Sequence, residues 1–307
     1  MLREYTYTVP PEFDGEKLLR YLRNGLSMSA RTVTKLRHDP GSMTNNGLPV
    51  RTIDPVHAGD TLRIILREPA VQSIPAGECM PDIIYADNDV LVINKPAMLA
   101  VHPTHNHQGD TLANQTAAYL AQNGQTAVFR AVGRLDKSTS GLVLCALNRH
   151  AASVLSGSFQ KTYLAIAEGE LSGFGTIDAP IMRPDPDKTL RAVGPGGDKA
   201  VTHWESLACG KGLTLLRLHL ETGRTHQIRV HMAHMGHMLA GDEMYGGHTD
   251  LIARAALHCE TLSFCQPVTG EAFTFTVPPP ADMQALIRSF APAFTMGVEK
   301  EKERRIL

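Results

Sequence analysis

Three short segments of this 307-residue chain hold the residue types from which a reaction can be built. The first is Gly133-Arg134-Leu135-Asp136-Lys137-Ser138-Thr139-Ser140-Gly141-Leu142. It sets one carboxylate between an arginine and a polar turn, with the apolar run Leu142-Val143-Leu144 following. A lone aspartate there is either a turn or cap carboxylate that accepts backbone N–H groups, or a reactive group. The second is Phe159-Gln160-Lys161-Thr162-Tyr163-Leu164-Ala165, a β-type run with a tyrosine close to a lysine. Taken alone, a strand tyrosine reads as a half-buried core residue. The third, Glu221-Thr222-Gly223-Arg224-Thr225-His226-Gln227-Ile228-Arg229-Val230-His231, is dense in hydrogen-bonding side chains.

Histidines invite a metal reading. His226, His231, His234 and His237 lie close together, and His102, His105 and His107 form a second group. Spacings of three and four residues put ligands on one helical face. No glutamate lies within 226–237, however, and no zinc-type cysteine pair accompanies either group. We therefore expect no metal site; Ile228, Met232 and Met235 read as the packing face of a helix.

The elements that must carry these residues are legible in outline. Residues 1–67 read as a small α/β module. Leucines 18, 19 and 22 recur at helical spacing, with Lys17, Arg20 and Arg23 on the other side. Ser29 is placed to cap a second helix over Ala30 to Leu36. Asn45-Asn46-Gly47 marks a tight turn between short strands, and Ala58-Gly59-Asp60 another before a strand over Thr61 to Leu66. Residues 68–81 hold three prolines without periodicity and read as a linker. A second domain, 82–296, opens with Ile83-Ile84-Tyr85 and Val90-Leu91-Val92-Ile93. Further strands are expected near 142–147, 162–168, 201–207, 213–220 and 272–277, and helices at 111–122, 149–156 and 225–235. Strands dominate without regular βαβ alternation, which predicts an α+β fold with a mostly antiparallel sheet. Residues 297–307 read as a charged, solvated tail.

Hydrophobic residues make up 43% and charged residues 20%, ordinary for a globular protein. No apolar run of ~18 residues predicts a membrane span. Five cysteines, odd in number and without a C-x-x-C pair, fit a reducing cytoplasm. Thirty basic and 31 acidic residues leave a net charge of -1, so nucleic-acid binding would have to come from a local patch. One such patch exists: Lys17 to Arg37 contains six basic residues and no acid. Lys17, Arg20, Arg31 and Lys35 are its candidate phosphate contacts, which would add affinity without reading sequence. The plainer reading is two amphipathic helices with solvated faces.

Taken in order, these segments resemble the RluA family of RNA pseudouridine synthases over nearly the whole chain. The resembling pieces are Asn94-Lys95-Pro96 with Val101-His102-Pro103, Gly133 to Leu144, Lys161-Thr162-Tyr163, Thr222 to His231, Gly241-Asp242 with Tyr245-Gly246, Leu257-His258, and Thr269-Gly270-Glu271. Residues 1–67 resemble the small RNA-binding domain shared with a small-subunit ribosomal protein (the alpha-L type), as in the ribosomal-RNA branch of the family. One departure stands out. Gly133 occupies a position that is usually histidine in this family and glycine in the sister family related to RsuA. Ser140 and the Thr222 to His231 segment keep the chain with the RluA type.

The resemblance implies a pseudouridine synthase fold and a uridine isomerase that works without cofactor. Asp136 becomes the nucleophile, Arg229 its bidentate charge partner, and Tyr163 the ring that stacks on uracil, with an oxygen able to help remove a proton. Arg134 is expected to fill the gap left by an extruded base or to meet a phosphate. Arg224, His226 and Gln227 are the remaining candidate substrate contacts in the pocket. The expected partner is RNA, ribosomal before transfer RNA, with no membrane and a monomeric protein. Two rivals are a non-catalytic RNA-binding or assembly factor, and a hydrolase pairing Asp136 with Asp242 or using the histidines.

Overall fold

The computed structural model describes residues 2–67, 74–103, 108–125 and 128–294. Residues 68–73 of the expected linker, His105, His107 and the whole charged tail lie outside them. The first region holds strands β1 (Leu2–Thr8), β2 (Met43–Asn45), β3 (Leu48–Pro49) and β4 (Thr61–Arg67), with short helices α1 (Leu18–Arg20) and α2 (Ala30–Arg37). Its strands pair in the order β1-β4-β2-β3, and its core gathers Tyr5, Leu18, Leu22, Val33, Leu36, Leu62 and Ile64. Strand β1 was not foreseen; its alternating Tyr5 and Tyr7 face this core. α1 is shorter than its leucine spacing predicts, because the chain widens into a π turn over Tyr21–Gly25. Ser29 caps α2 as expected, its hydroxyl accepting from Thr32 N at 3.1 Å.

The second region contains β5 (Asp82–Ala86), β6 (Val90–Lys95), α3 (Leu112–Gln122), β7 (Arg130–Val132), β8 (Ser140–Ala146), α4 (Arg149–Leu155), β9 (Phe159–Glu168), β10 (Phe174–Asp178), β11 (Ile181–Met182), β12 (Ala192–Val193), β13 (Val201–Gly210), β14 (Leu213–Leu220), α5 (Gln227–His234), β15 (Leu257–Cys265), β16 (Ala272–Thr276) and α6 (Ala281–Phe290). Among the described residues a ten-stranded sheet runs β10-β13-β14-β9-β15-β8-β6-β5, with β16 beside β15 and β7 beside β8. The architecture is α+β with a mostly antiparallel sheet. Its parallel contact joins β15 to β8, at His258 opposite Ser140 and Cys259 opposite Gly141.

That contact positions the site. β8 is buried at every residue, which is why its sequence is a continuous apolar run rather than an alternating one. β15 was not foreseen, yet it sits in the middle of the sheet between β8 and β9. Its backbone approaches so closely that a Cβ at Gly141 would stand 2.2 Å from the Cys259 carbonyl oxygen, at φ +107°. Only glycine fits there. Among the described residues no helix is long and apolar enough to cross a membrane.

Candidate active site

Asp136 lies on the turn between β7 and β8, closed by Thr139 N donating to the Asp136 carbonyl at 3.2 Å. The turn is held from behind. Lys95, fully buried, donates to the carbonyls of Pro96 (2.8 Å), Leu99 (2.9 Å) and Lys137 (3.3 Å). Arg254 reaches the Ser138 carbonyl at 3.3 Å while gripping Asp282 of α6 at 2.8 and 2.9 Å. Burial, reinforced by Arg254, pulls Lys95 down to about 7. The Asp136 side chain on this clamped turn is 25% exposed.

Arg229, on α5, corrects the sequence expectation. Its fork closes on Asp242, with Nε and Nη2 at 2.7 and 2.6 Å from the two carboxylate oxygens. Asp136 receives only Nη1, at 3.5 Å. The bidentate partner is therefore Asp242, and Arg229 spans two acids. Burial opposes the charge on Arg229 most strongly, but the Asp242 hydrogen bonds together with the charges of Asp242 and Asp136 outweigh it and raise the guanidinium above its ordinary value. Tyr245 supports the arginine from one face, its ring centroid 5.0 Å away. Asp242 belongs to the Gly241-Asp242 segment; its partner in space, thirteen positions upstream on a helix, was not readable from sequence.

His226 ends at the same place. Tyr245 Oη accepts from Arg191 N at 3.1 Å and shares a hydrogen bond of 2.8 Å with His226 Nδ1. The other ring nitrogen of His226, Nε2, stands 4.0 Å from Asp136. Burial lowers the imidazole below its ordinary value, with Asp136 pulling the other way. His226 has φ +58°, so α5 starts at Gln227, two residues later than the 225 its pattern predicts. A non-glycine residue held in this region costs about 1 kcal/mol or more and marks a position fixed by its surroundings.

Tyr163 projects from β9 and is 7% exposed. Burial, then the Cys259 thiol and the Asp136 carboxylate, hold its phenol well above its ordinary value of 10. It stays protonated at neutral pH. Gln227 also needs correction. Its amide donates to Val201 O and Thr202 Oγ1 at 2.9 and 3.1 Å and accepts from Thr222 Oγ1 and Arg224 N at 2.9 and 3.0 Å. Every hydrogen-bonding group is used in fastening α5 to β13 and to the segment after β14, which leaves none for a substrate. Arg224 is exposed and paired with Asp198 at 3.5 Å; Arg134 is exposed, and its charge helps lower His102 after burial does.

Gly133 has a local explanation. At φ +74°, a Cβ would stand 2.4 Å from the Phe159 ring. Phe159 fills the space that a side chain at 133 would need, and Lys161 Nζ donates to the Gly133 carbonyl at 2.8 Å. Among the described residues no group of three His, Cys, Asp or Glu is arranged to hold a metal. His231 instead bonds Thr202 Oγ1 and Ala179 O at 2.8 and 2.9 Å, and His237 bonds Glu168 O at 3.0 Å.

The basic face of the first region lies on α1 and α2. Lys17, Arg31 and Lys35 are exposed. Arg20 is ion-paired with Glu16, an acid just outside the acid-free run, so that run is less uniformly positive than its sequence suggests.

An aspartate on a clamped turn, an arginine shared with a second buried acid and a strand tyrosine, all in front of a mostly antiparallel sheet, define a pseudouridylate synthase-type catalytic domain. The family model for RNA pseudouridylate synthase matches residues 89–234. The chain is 40% identical over 293 residues to the uncharacterized RNA pseudouridine synthase YhcT of Bacillus subtilis (strain 168), covering 90% of this chain and 94% of that one. It is 35% identical over 299 residues to the ribosomal large subunit pseudouridine synthase D of Xanthomonas campestris pv. campestris, covering 90% and 85%. The solved structure of human RNA pseudouridylate synthase domain containing 1 matches with a TM-score of 0.55 and 28% identity, over 67% of this chain and 86% of that one. The chain belongs to the RNA pseudouridine synthase family, in its RluA branch, and is an isomerase acting on RNA.

Proposed function

We propose that this enzyme converts specific uridines of large-subunit ribosomal RNA to pseudouridine, with Asp136 as nucleophile and the target base turned out of its stack. The reaction breaks the bond from ribose to N1 of uracil, turns the base and joins ribose to C5. The proton on C5 leaves and N1 gains one, so the product is an isomer. A stacked base cannot turn, which requires extrusion at a cost of a few kcal/mol. A covalent aspartyl intermediate splits the hard exchange into two easier steps.

The observation that carries this reading is Arg229 spanning Asp242 and Asp136. Asp242 supplies the neutralising grip, so Arg229 is anchored without taking both oxygens of Asp136. Asp136 keeps lone pairs for attack and one charge-assisted contact. The same geometry speaks against a glycosidase pair, because Asp242 is spent on Arg229 and buried. Tyr163 stacks its ring against the uracil; a phenol held in its protonated form suits stacking and hydrogen bonding better than removing the C5 proton. Arg134, exposed at the entrance, meets the phosphate or the gap beside the flipped nucleotide.

Ribosomal RNA is favoured because several relatives named ribosomal large subunit pseudouridine synthase D align along most of their length. The protein works as a monomer in this reading, and light scattering on a sizing column checks that. Asp136→Asn is expected to end tritium release from C5-labelled uridine RNA, a fall of about 10⁴-fold or more, with RNA affinity retained. Turnover surviving in that variant would sink the nucleophile assignment. Mapping pseudouridines in total RNA with and without the enzyme decides between ribosomal and transfer RNA.

A further inference from the structure

Among the described residues two carboxylates are buried, Asp242 and Asp89, and the reaction has no use for Asp89. It sits in the turn between β5 and β6, on the catalytic region, and is 6% exposed. The catalytic region builds half of its surroundings. Asn148, which caps α4, donates to Oδ1 at 2.6 Å; Gln266 donates to Oδ2 at 3.4 Å; Leu147 N donates to the Asp89 carbonyl at 2.8 Å. The other half comes from β1, on the N-terminal region. Tyr5 Oη donates to Oδ1 at 2.8 Å. Arg3 stands 3.6 Å from the same oxygen and donates to the Asn88 carbonyl. The Tyr5 ring meets His150 of α4 edge-on, 5.6 Å between centroids, and Val268, after β15, packs on the N-terminal core.

Arg3 and Tyr5 lie two residues apart, so they project from one face of the strand. A buried carboxylate without a cation is strongly unfavourable, and here the cation arrives on the other domain. Among the described residues, the catalytic region thus carries a receptor that β1 completes. A module tethered loosely through 68–81 would explore many orientations; one seated on Asp89 presents its basic helices in a single direction.

We propose that Arg3, Tyr5 and Asp89 form a latch that fixes the N-terminal module against the catalytic domain, so that the spacing between the basic face and Asp136 selects which folded RNA is modified. This rests on reading the chain as an RNA pseudouridine synthase with an RNA-contacting module. The two contact sites then act as a rigid bivalent receptor. An RNA whose shape spans both gains the second contact as an intramolecular event, and one too short to span them gains nothing from the latch.

The test compares wild type with Tyr5→Phe and with Arg3→Ala/Tyr5→Phe. Each is assayed on a folded large-subunit ribosomal RNA transcript and on a short stem-loop cut from around the mapped uridine. Small-angle X-ray scattering on the same full-length proteins reads the position of the module. The double variant is expected to show a larger radius of gyration and about a tenfold or greater loss of kcat/KM on the transcript, carried by KM. Its activity on the stem-loop should be unchanged. Tyr5→Phe, which deletes one oxygen, should move both readouts in the same direction by less.

Unchanged scattering in the double variant overturns the latch. Expanded scattering with unchanged kcat/KM on the transcript overturns its role in selection. Loss on the stem-loop as well assigns Asp89 to the stability of the catalytic domain and overturns the proposal. Failure of the underlying reading looks different. Wild type would then release no tritium from either RNA, or Arg31→Ala/Lys35→Ala would bind the transcript as well as wild type does, while scattering still reports on the latch.

Discussion

Arg229 and Arg20 each hold a carboxylate, and the two pairs live in different media. The side chain of Arg229 is 7% exposed and that of Asp242 is 1% exposed. For Arg20 and Glu16 the values are 56% and 38%. In the pocket, water cannot replace a lost partner, so removing one charge strands the other at about 3–5 kcal/mol. On α1, water and salt take over at once, and the pair contributes little. The pocket therefore uses charge to hold geometry, whereas the module uses charge as a diffuse attraction for phosphate. The difference follows from burial alone, since the ions are of the same type.

Arg229→Lys is the sharpest way to break this comparison. Lysine brings one point charge where a planar fork spans two acids. We expect kcat to fall by about 10³-fold, with a thermal midpoint lowered because Asp242 loses a bidentate partner. A lysine variant with near-wild-type kcat would mean that the pocket tolerates the same looseness as the surface. Asp242→Asn is next. It keeps the shape but frees Arg229 to turn fully onto Asp136, and a misplacement of about 1 Å costs on the order of 10²-fold in kcat. Single-turnover tritium release would read it, and substrate affinity should hold.

Titration supplies a third test. His258 is 1% exposed, and burial pushes its imidazole down to about 4. Arg254 pushes the same way, and the Val277 carbonyl and Asp282 oppose it. Its Nε2 donates to Val277 O at 3.1 Å, so Nδ1 accepts from Ser140 at 3.0 Å, which only the neutral ring can do. Between pH 6.5 and about 4 the unfolded chain binds this proton and the folded one does not. Stability present above pH 6.5 is thus lost as pH falls through that window, by about 3 kcal/mol at most. Denaturant melts of His258→Gln should show a flatter profile over that range; an unchanged slope would assign the acid sensitivity elsewhere.

The smallest effects belong to the module. Arg31→Ala and Lys35→Ala should each weaken binding to all RNAs alike and reduce the slope of log affinity against log salt by roughly 1. Arg20→Ala should do less than either, because its charge is already shared with Glu16. A larger effect from Arg20 than from Lys35 would show that the ion pair opens on binding.

Much of the framework is legible in the chain because it depends on near neighbours. The Ser29 cap, the Asn45-Asn46-Gly47 turn, the apolar β8 and the helix over 112–122 are all decided within a few residues. β1 and β15 escaped notice for the opposite reason. Neither carries a strong local signature, and β15 earns its place by pairing with β9 on one side and β8 on the other. Asp136, Tyr163 and Arg229 were recognisable as a set through motif order, but Gln227 was misjudged, since a motif does not say which way an amide faces.

Residue types and local spacing determined, without any coordinates, an α+β fold with Asp136 on a polar turn before an apolar strand, and the order of the motifs supplied the resemblance to the RNA pseudouridine synthases. Only the tertiary structure decided that the fork of Arg229 closes on Asp242, that Phe159 occupies the space beside Gly133, and that Asp89 takes its cation from β1. The physical reason is that turns and caps are settled by bonds between nearby residues. Charge pairing in a dry interior is settled by which groups the fold brings within about 3 Å, however far apart they lie along the chain.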